Sequence, residues 1–215
     1  MEVLYLHGFA SSPQSSKATF MKARFAERGI AVRTPDLNLP DFSTLTVSRM
    51  LGQVDEMLAS TADPDLVLVG SSLGGFVAVH TAARHAGRIH SLILLAPALD
   101  FGPATVSDLG PQGLSLSDWK RAGSLDVYHY AYGRPIPIHY ALFEDALRYD
   151  AAAADLSMPI LIFQGRNDES VDAASVEAWS RRRPNVELHL LDDDHQLGGS
   201  LDYIWEKTRA FLALG

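Results

Sequence analysis

Short apolar runs alternate with helix-periodic segments along the chain, and that alternation predicts an α/β fold built on a parallel sheet. Six runs read as strands: residues 3–6, 31–34, 66–69, 91–95, 159–163 and 186–191. Several are apolar at consecutive positions, as strands covered on both faces should be. Amphipathic stretches separate them. Residues 17–28 set Phe20, Met21 and Phe25 among charges, 47–59 reads likewise, and 75–85 is small and apolar enough for a buried helix. Two more helices are predicted at 173–183 and 201–214.

One region breaks this rhythm. Residues 98–154 hold the turn formers Gly102-Pro103, Gly110-Pro111 and Gly133-Arg134-Pro135 and an aromatic cluster of Trp119, Tyr128, Tyr130, Tyr132, Tyr140 and Phe143. The segment is too long for one connection in a compact domain and is expected to be an insertion. Its rings either cover an apolar pocket as a lid or form the core of a small subdomain. With no repeat and no dividing linker, residues 1–215 are expected to be one domain carrying this insertion.

The run Leu66-Val67-Leu68-Val69 leads directly into Gly70-Ser71-Ser72-Leu73-Gly74-Gly75. A strand ending in G-x-S-x-G is the pattern of a nucleophile elbow, a tight strand-to-helix turn that lifts a serine hydroxyl above the sheet. Ser72 is therefore the candidate nucleophile. Ser71 is out of register, because the positions two residues away from it are the bulky Val69 and Leu73.

A serine hydroxyl is a poor nucleophile at neutral pH, and needs an imidazole to take its proton and a carboxylate to hold that imidazole in the right tautomer. On a parallel sheet with an elbow, the chain order is serine, acid, histidine, each beyond the carboxyl end of a strand. The strand 159–163 runs into Gln164-Gly165-Arg166-Asn167-Asp168, and 186–191 runs into Asp192-Asp193-Asp194-His195. Asp168 is the candidate acid and His195 the candidate base. Glu169 is adjacent to the acid but should point elsewhere, and Asp172 is better explained as the N-cap of the following helix. Of the eight histidines, His7, His80, His85, His90, His129, His139 and His189 all fall before the acid, in the insertion or within the last strand. Only His195 lies on a loop after the acid. The first strand ends in His7-Gly8-Phe9, and the amides of Phe9 and Leu73 are the expected oxyanion donors, with His7 a positioning residue.

Composition narrows the chemistry. The absence of cysteine removes thiol nucleophiles, thiolate metal sites and disulfides. A net charge of −8 argues against a nucleic-acid partner or an anionic membrane surface. No basic segment followed by a long apolar core opens the chain, so the expected location is cytoplasmic. Asp192 to Asp194 read as solvated charge, since consecutive carboxylates in a tight turn rarely converge on one ion. Neither a metal nor a cofactor is expected, and oligomeric state is not legible.

These residues carry a resemblance. The chain resembles the α/β-hydrolase superfamily in a minimal form that starts at what the family counts as its third strand, over nearly every residue outside 98–154. The segment 4–18, Leu-Tyr-Leu-His-Gly-Phe-Ala-Ser-Ser-Pro-Gln-Ser-Ser-Lys-Ala, together with Gly70-Ser71-Ser72-Leu73-Gly74-Gly75, is similar to the small bacterial esterase-like proteins of the YqiA type. The resemblance implies a three-layer fold with a six-stranded, mostly parallel sheet, helices on both faces and a lid-like insertion. It also implies carboxylesterase-like activity, with Ser72, Asp168 and His195 matching the family's nucleophile, acid and base. The expected partner is a small-molecule ester of short to medium acyl chain. A thioesterase or another triad enzyme on the same fold is the alternative, and a non-catalytic ligand-binding protein a further one.

Overall fold

The apolar runs conceal a period of two. The computed structural model describes residues 1–61, 65–101 and 115–214. Its strands are β1 (Glu2–Leu6), β2 (Val32–Arg33), β3 (Leu66–Ser71), β4 (Ile89–Leu95), β5 (Ser124–His129), β6 (Arg134–His139), β7 (Ile160–Gly165) and β8 (Val186–Leu191). Six of them form one sheet in the order β2-β1-β3-β4-β7-β8, and every pairing in it is parallel. Leu4, Leu6, Leu68, Leu92, Leu94, Ile160 and Ile162 pack into a core on one face, whereas Val3, Tyr5, Val67, Val69, Ile93, Leu95, Leu161 and Phe163 pack into a core on the other. Neighbouring residues thus serve opposite layers, which is why both must be apolar.

The helices are α1 (Ser16–Ala26), α2 (Val47–Ala59), α3 (Leu73–Arg84), α4 (Leu116–Ala122), α5 (Ala141–Ala146), α6 (Ala173–Arg181) and α7 (Leu201–Phe211). Ala18, Met21 and Phe25 of α1 and Ile204 and Trp205 of α7 cover the Val3 face; α2, α3 and α6 cover the Leu4 face. Side chains start several of them. Ser15 Oγ accepts from Ala18 N, Thr46 Oγ1 from Arg49 N and Asp172 Oδ1 from Ala174 N, as N-caps do. Helix α3 has no side-chain cap. Its first turn leaves amide donors open beside the elbow.

The expected strands all form, with one much shortened: β2 keeps two residues of the predicted four, a short edge strand. The helix expected at 75–85 starts two residues earlier, at Leu73. Between β4 and β7 lies a hairpin that the apolar pattern did not reveal, β5 paired antiparallel with β6. Its buried positions alternate, Leu125, Val127 and His129 against Ile136 and Ile138, but Pro135 and Pro137 mask the strand signal. Because the two prolines fall at alternate positions, one outer edge takes both missing N–H groups.

Register brings the carboxyl ends of the central strands level: Leu6 pairs with Gly70 and Gly70 with Leu94, Leu95 with Phe163, Gly165 with Leu191. The loops after β1, β3, β7 and β8 therefore open on the same edge. Strain collects there too. Of the five non-glycine residues with positive φ among those described, Ala10, Ser72, Ala96 and Leu197 follow the ends of β1, β3, β4 and β8. Clusters of such outliers mark functional edges.

Candidate active site

Ser72 occupies the turn between β3 and α3 with φ +52° and ψ −120°, a conformation costly for any residue with a Cβ. The turn is held from both sides, with Ser72 N donating to Leu95 O at 3.0 Å and Ala98 N donating to Ser72 O at 3.1 Å. Gly74 is required because a Cβ there would collide with Leu6 O. Ser72 is partly exposed, whereas Ser71 is buried as the last residue of β3.

The loop after β1 lies over the elbow. A Cβ on Gly8 would sit 3.1 Å from Ser72 Cβ and 3.7 Å from its Oγ. His7, 2% exposed, spans this loop: Nε2 accepts from Leu37 N at 3.0 Å, which leaves Nδ1 to donate to Gly8 O at 2.9 Å. The amides of Phe9 and Leu73 have no acceptor among the described residues. Two unpaired backbone donors beside a serine hydroxyl can stabilise a developing oxyanion.

Asp168 and His195 meet. His195 Nδ1 lies 2.8 Å from Asp168 Oδ2, and the carboxylate side chain is fully buried while that of His195 is 18% exposed. Gln164 Nε2 also donates to Oδ2, at 2.8 Å, and the amides of Ser170 and Val171 both donate to Oδ1 at 2.9 Å. Burial works to raise the Asp168 pKa, but the hydrogen bond and charge of His195, with help from Val171 N and Gln164, hold it below its usual 3.8. Among the described residues no hydrogen bond joins Ser72 to His195. Such contacts are often long before substrate binds.

Three residues of this corner were not anticipated. Gln164, fully buried at the end of β7, supports the carboxylate; a polar residue closing an apolar strand was its only signal. Gly165 lets the loop after β8 approach, since a Cβ would lie 2.5 Å from Asp193 O. Lys17 is buried and donates from Nζ to His195 O at 2.8 Å. The three aspartates before His195 do not converge: Asp192 accepts from Asn167, Asp193 from Ser200 and Asp194 from Gln196 N. Asp172 caps α6, as expected.

The aromatics of 98–154 divide. Trp119 is 1% exposed, its Nε1 donates to Ile138 O, and it packs into the core on the Leu4 face of the sheet. Tyr128, Tyr130 and Tyr132 are exposed on the hairpin, whose Tyr130 N donates to Ala10 O in the loop after β1. His129 is wholly buried and stacks on Tyr132 at 3.9 Å and edge-on against Phe42 at 4.6 Å. His139 is exposed. The remaining expectations for this segment on residues 102–114 lie outside the described residues.

Residues 2–212 match the family described as "Uncharacterised protein family (UPF0227)". The chain belongs to that family. It is 24% identical over 229 residues to the pimeloyl-[acyl-carrier protein] methyl ester esterase of Aromatoleum aromaticum, a match covering 89% of each chain. Among solved structures it resembles Est1E from Butyrivibrio proteoclasticus with ferulic acid bound, with a TM-score of 0.85 at 22% identity over 98% of this chain and 87% of that one. It also resembles mouse alpha/beta hydrolase domain-containing protein 10, with a TM-score of 0.81 at 20% identity over 99% of this chain and 89% of that one. The fold is that of the α/β hydrolases. No helix among the described residues is long and apolar enough to cross a membrane.

Proposed function

We propose that the chain is a serine carboxylesterase in which Ser72, His195 and Asp168 act as nucleophile, base and acid. The observation that carries the reading is the 2.8 Å contact between His195 Nδ1 and a buried, ionised Asp168. With Nδ1–H bound to the carboxylate, Nε2 is left as the acceptor a nucleophilic serine requires.

The reaction follows from these groups. Ser72 Oγ attacks the ester carbonyl as His195 Nε2 takes its proton. The carbonyl oxygen gains charge and turns toward Phe9 N and Leu73 N, each such donor contributing roughly 3 kcal/mol to the transition state. His195 then passes the proton to the departing alcohol, which leaves the acyl group on Ser72. Water repeats the sequence in reverse roles and frees the acid. Asp168 stays ionised throughout, orienting the imidazole and stabilising its charged form.

The substrate we favour is a carboxylic ester of short to medium acyl chain, the alternative being a thioester. Support comes from the likeness to the pimeloyl-[acyl-carrier protein] methyl ester esterase and to Est1E with ferulic acid bound. The segment 98–154 is proposed to act as an insertion over the site. Its hairpin joins the loop after β1 through Tyr130 and continues into the packed rings of His129, Phe42 and Phe9. Hydrolysis of p-nitrophenyl esters graded by chain length, with fluorophosphonate labelling of the same samples, tests the reading. Turnover with a labelled Ser72 supports it. Folded protein that neither labels nor turns over any ester rejects it.

A further inference from the structure

Lys17 sits where a lysine is unfavourable on two counts. It is the second residue of α1, where the positive end of the helix dipole disfavours a cation. It is also only 7% exposed, which lysine rarely tolerates without partners. Burial lowers its pKa to about 8, against the attraction of Asp168, Asp194 and Asp193. Its hydrogen bond to a neutral acceptor is specific. Nζ donates at 2.8 Å to the backbone oxygen of His195, 178 positions away in the chain.

We propose that Lys17 is a positioning residue for the esterase reaction, clamping the backbone of His195 so that its imidazole stays between Asp168 and Ser72. The proposal rests on the triad reading above. The histidine rides on a loop, and the bonds that brace this loop fall on either side of it: Asn167 N to Asp193 O at 3.0 Å, Ser200 Oγ to Asp193 at 2.7 Å and Leu197 N to Asp194 O at 3.2 Å. Asp168 fixes one ring nitrogen. Lys17 fixes the main chain that carries the ring, and it does so from α1.

Charge adds to geometry. Asp168, Asp193 and Asp194 crowd this corner, and a cation among them offsets their mutual repulsion. A hydrogen bond from an ammonium is also roughly twice as strong as one from a neutral donor. The titratable groups facing Lys17 come from the loop after β7 (Asp168) and the loop after β8 (Asp193, Asp194), with His195 the residue it holds. When the ammonium loses its proton, the clamp weakens and the repulsion returns. Activity that depends on Lys17 must therefore fall as pH rises through about 8.

The test compares wild type, Lys17→Met and Lys17→Arg by kcat and KM for p-nitrophenyl butyrate from about pH 6 to about pH 10, with melting temperature and fluorophosphonate labelling in parallel. A ring displaced by about 1 Å can cost on the order of 100-fold, so Lys17→Met should lower kcat by about 10- to 100-fold with KM changed less than about threefold. Arginine stays charged across this range and should restore part of kcat while removing the fall near pH 8. A folded Lys17→Met with wild-type kcat overturns the clamp. Should that variant not fold, the comparison of wild type with Lys17→Arg decides, because the same alkaline fall in both also overturns it. Failure of the triad reading looks different: Ser72→Ala would still label and turn over, whatever Lys17 does.

Discussion

Replacing Asp168 by Asn changes a charge and a proton position without changing the shape of the site. The carboxylate accepts two backbone amides on Oδ1 at 2.9 Å, and Gln164 Nε2 and His195 Nδ1 on Oδ2 at 2.8 Å. An asparagine has only one oxygen to offer. The amides of Ser170 and Val171 cannot turn away, so the oxygen stays with them and the new NH₂ faces Gln164 and His195. Gln164 is held in place, because its Nε2 also donates to Gly165 O and Val171 O, and a rotation that presented Oε1 would break both bonds. His195 must adapt by accepting at Nδ1, which moves its own proton to Nε2. The base is then in the wrong tautomer, and kcat should fall by about 10⁴, or about 5 kcal/mol of barrier. Losing the bond from Gln164 in this buried corner should cost about 1 to 3 kcal/mol of stability. Steady-state kinetics on p-nitrophenyl acetate, with urea denaturation of the same protein, measure both. A kcat within tenfold of wild type in the folded variant would refute the tautomer argument.

Asp172 caps α6 and accepts from Ala174 N, so Asp172→Ala should cost about 1 kcal/mol of stability by urea denaturation while leaving kcat within about twofold. Tyr132 is exposed and stacked on His129 near the loop after β1, and Tyr132→Ala should alter the chain-length preference among p-nitrophenyl esters by about fourfold per methylene, at about 0.8 kcal/mol each. An unchanged profile with only the melting temperature altered would make the hairpin structural. The Asp168 carboxyl is pulled below its usual 3.8, a shift that favours the fold above that value and is lost as pH falls through the lower native one. Wild type should accordingly lose more stability than Asp168→Asn between about pH 5 and about pH 2, as denaturation curves at each pH would show.

Much of the sheet was legible because strands covered on both faces need apolar residues at every position, and turns between them collect glycine and polar groups. Leu66 to Val69 could be read as a strand without knowing which residue served which layer. The elbow was legible for a similar reason, since only small residues fit around Ser72. The hairpin was not. Pro135 and Pro137 lower strand propensity, and what permits them is an outer edge that exists only once β5 has paired on the other side. Lys17 and Gln164 escaped notice because their roles depend on burial against partners distant in the chain, and nothing in a helix-start lysine or a strand-end glutamine names those partners. The carboxylate was separable from Asp172 in advance because one follows a strand and the other precedes a helix.

The most direct measurement is fluorophosphonate labelling of wild type, Ser71→Ala and Ser72→Ala, with kcat on p-nitrophenyl acetate for each. The two serines are adjacent, yet only Ser72 stands partly exposed at a strained turn, with the Phe9 and Leu73 amides lacking an acceptor among the described residues. The account predicts labelled wild type and Ser71→Ala, an unlabelled Ser72→Ala, and a kcat lowered by at least ~10⁴ in the last alone. A folded Ser72→Ala that still takes the label, or turns over within tenfold of wild type, would contradict it.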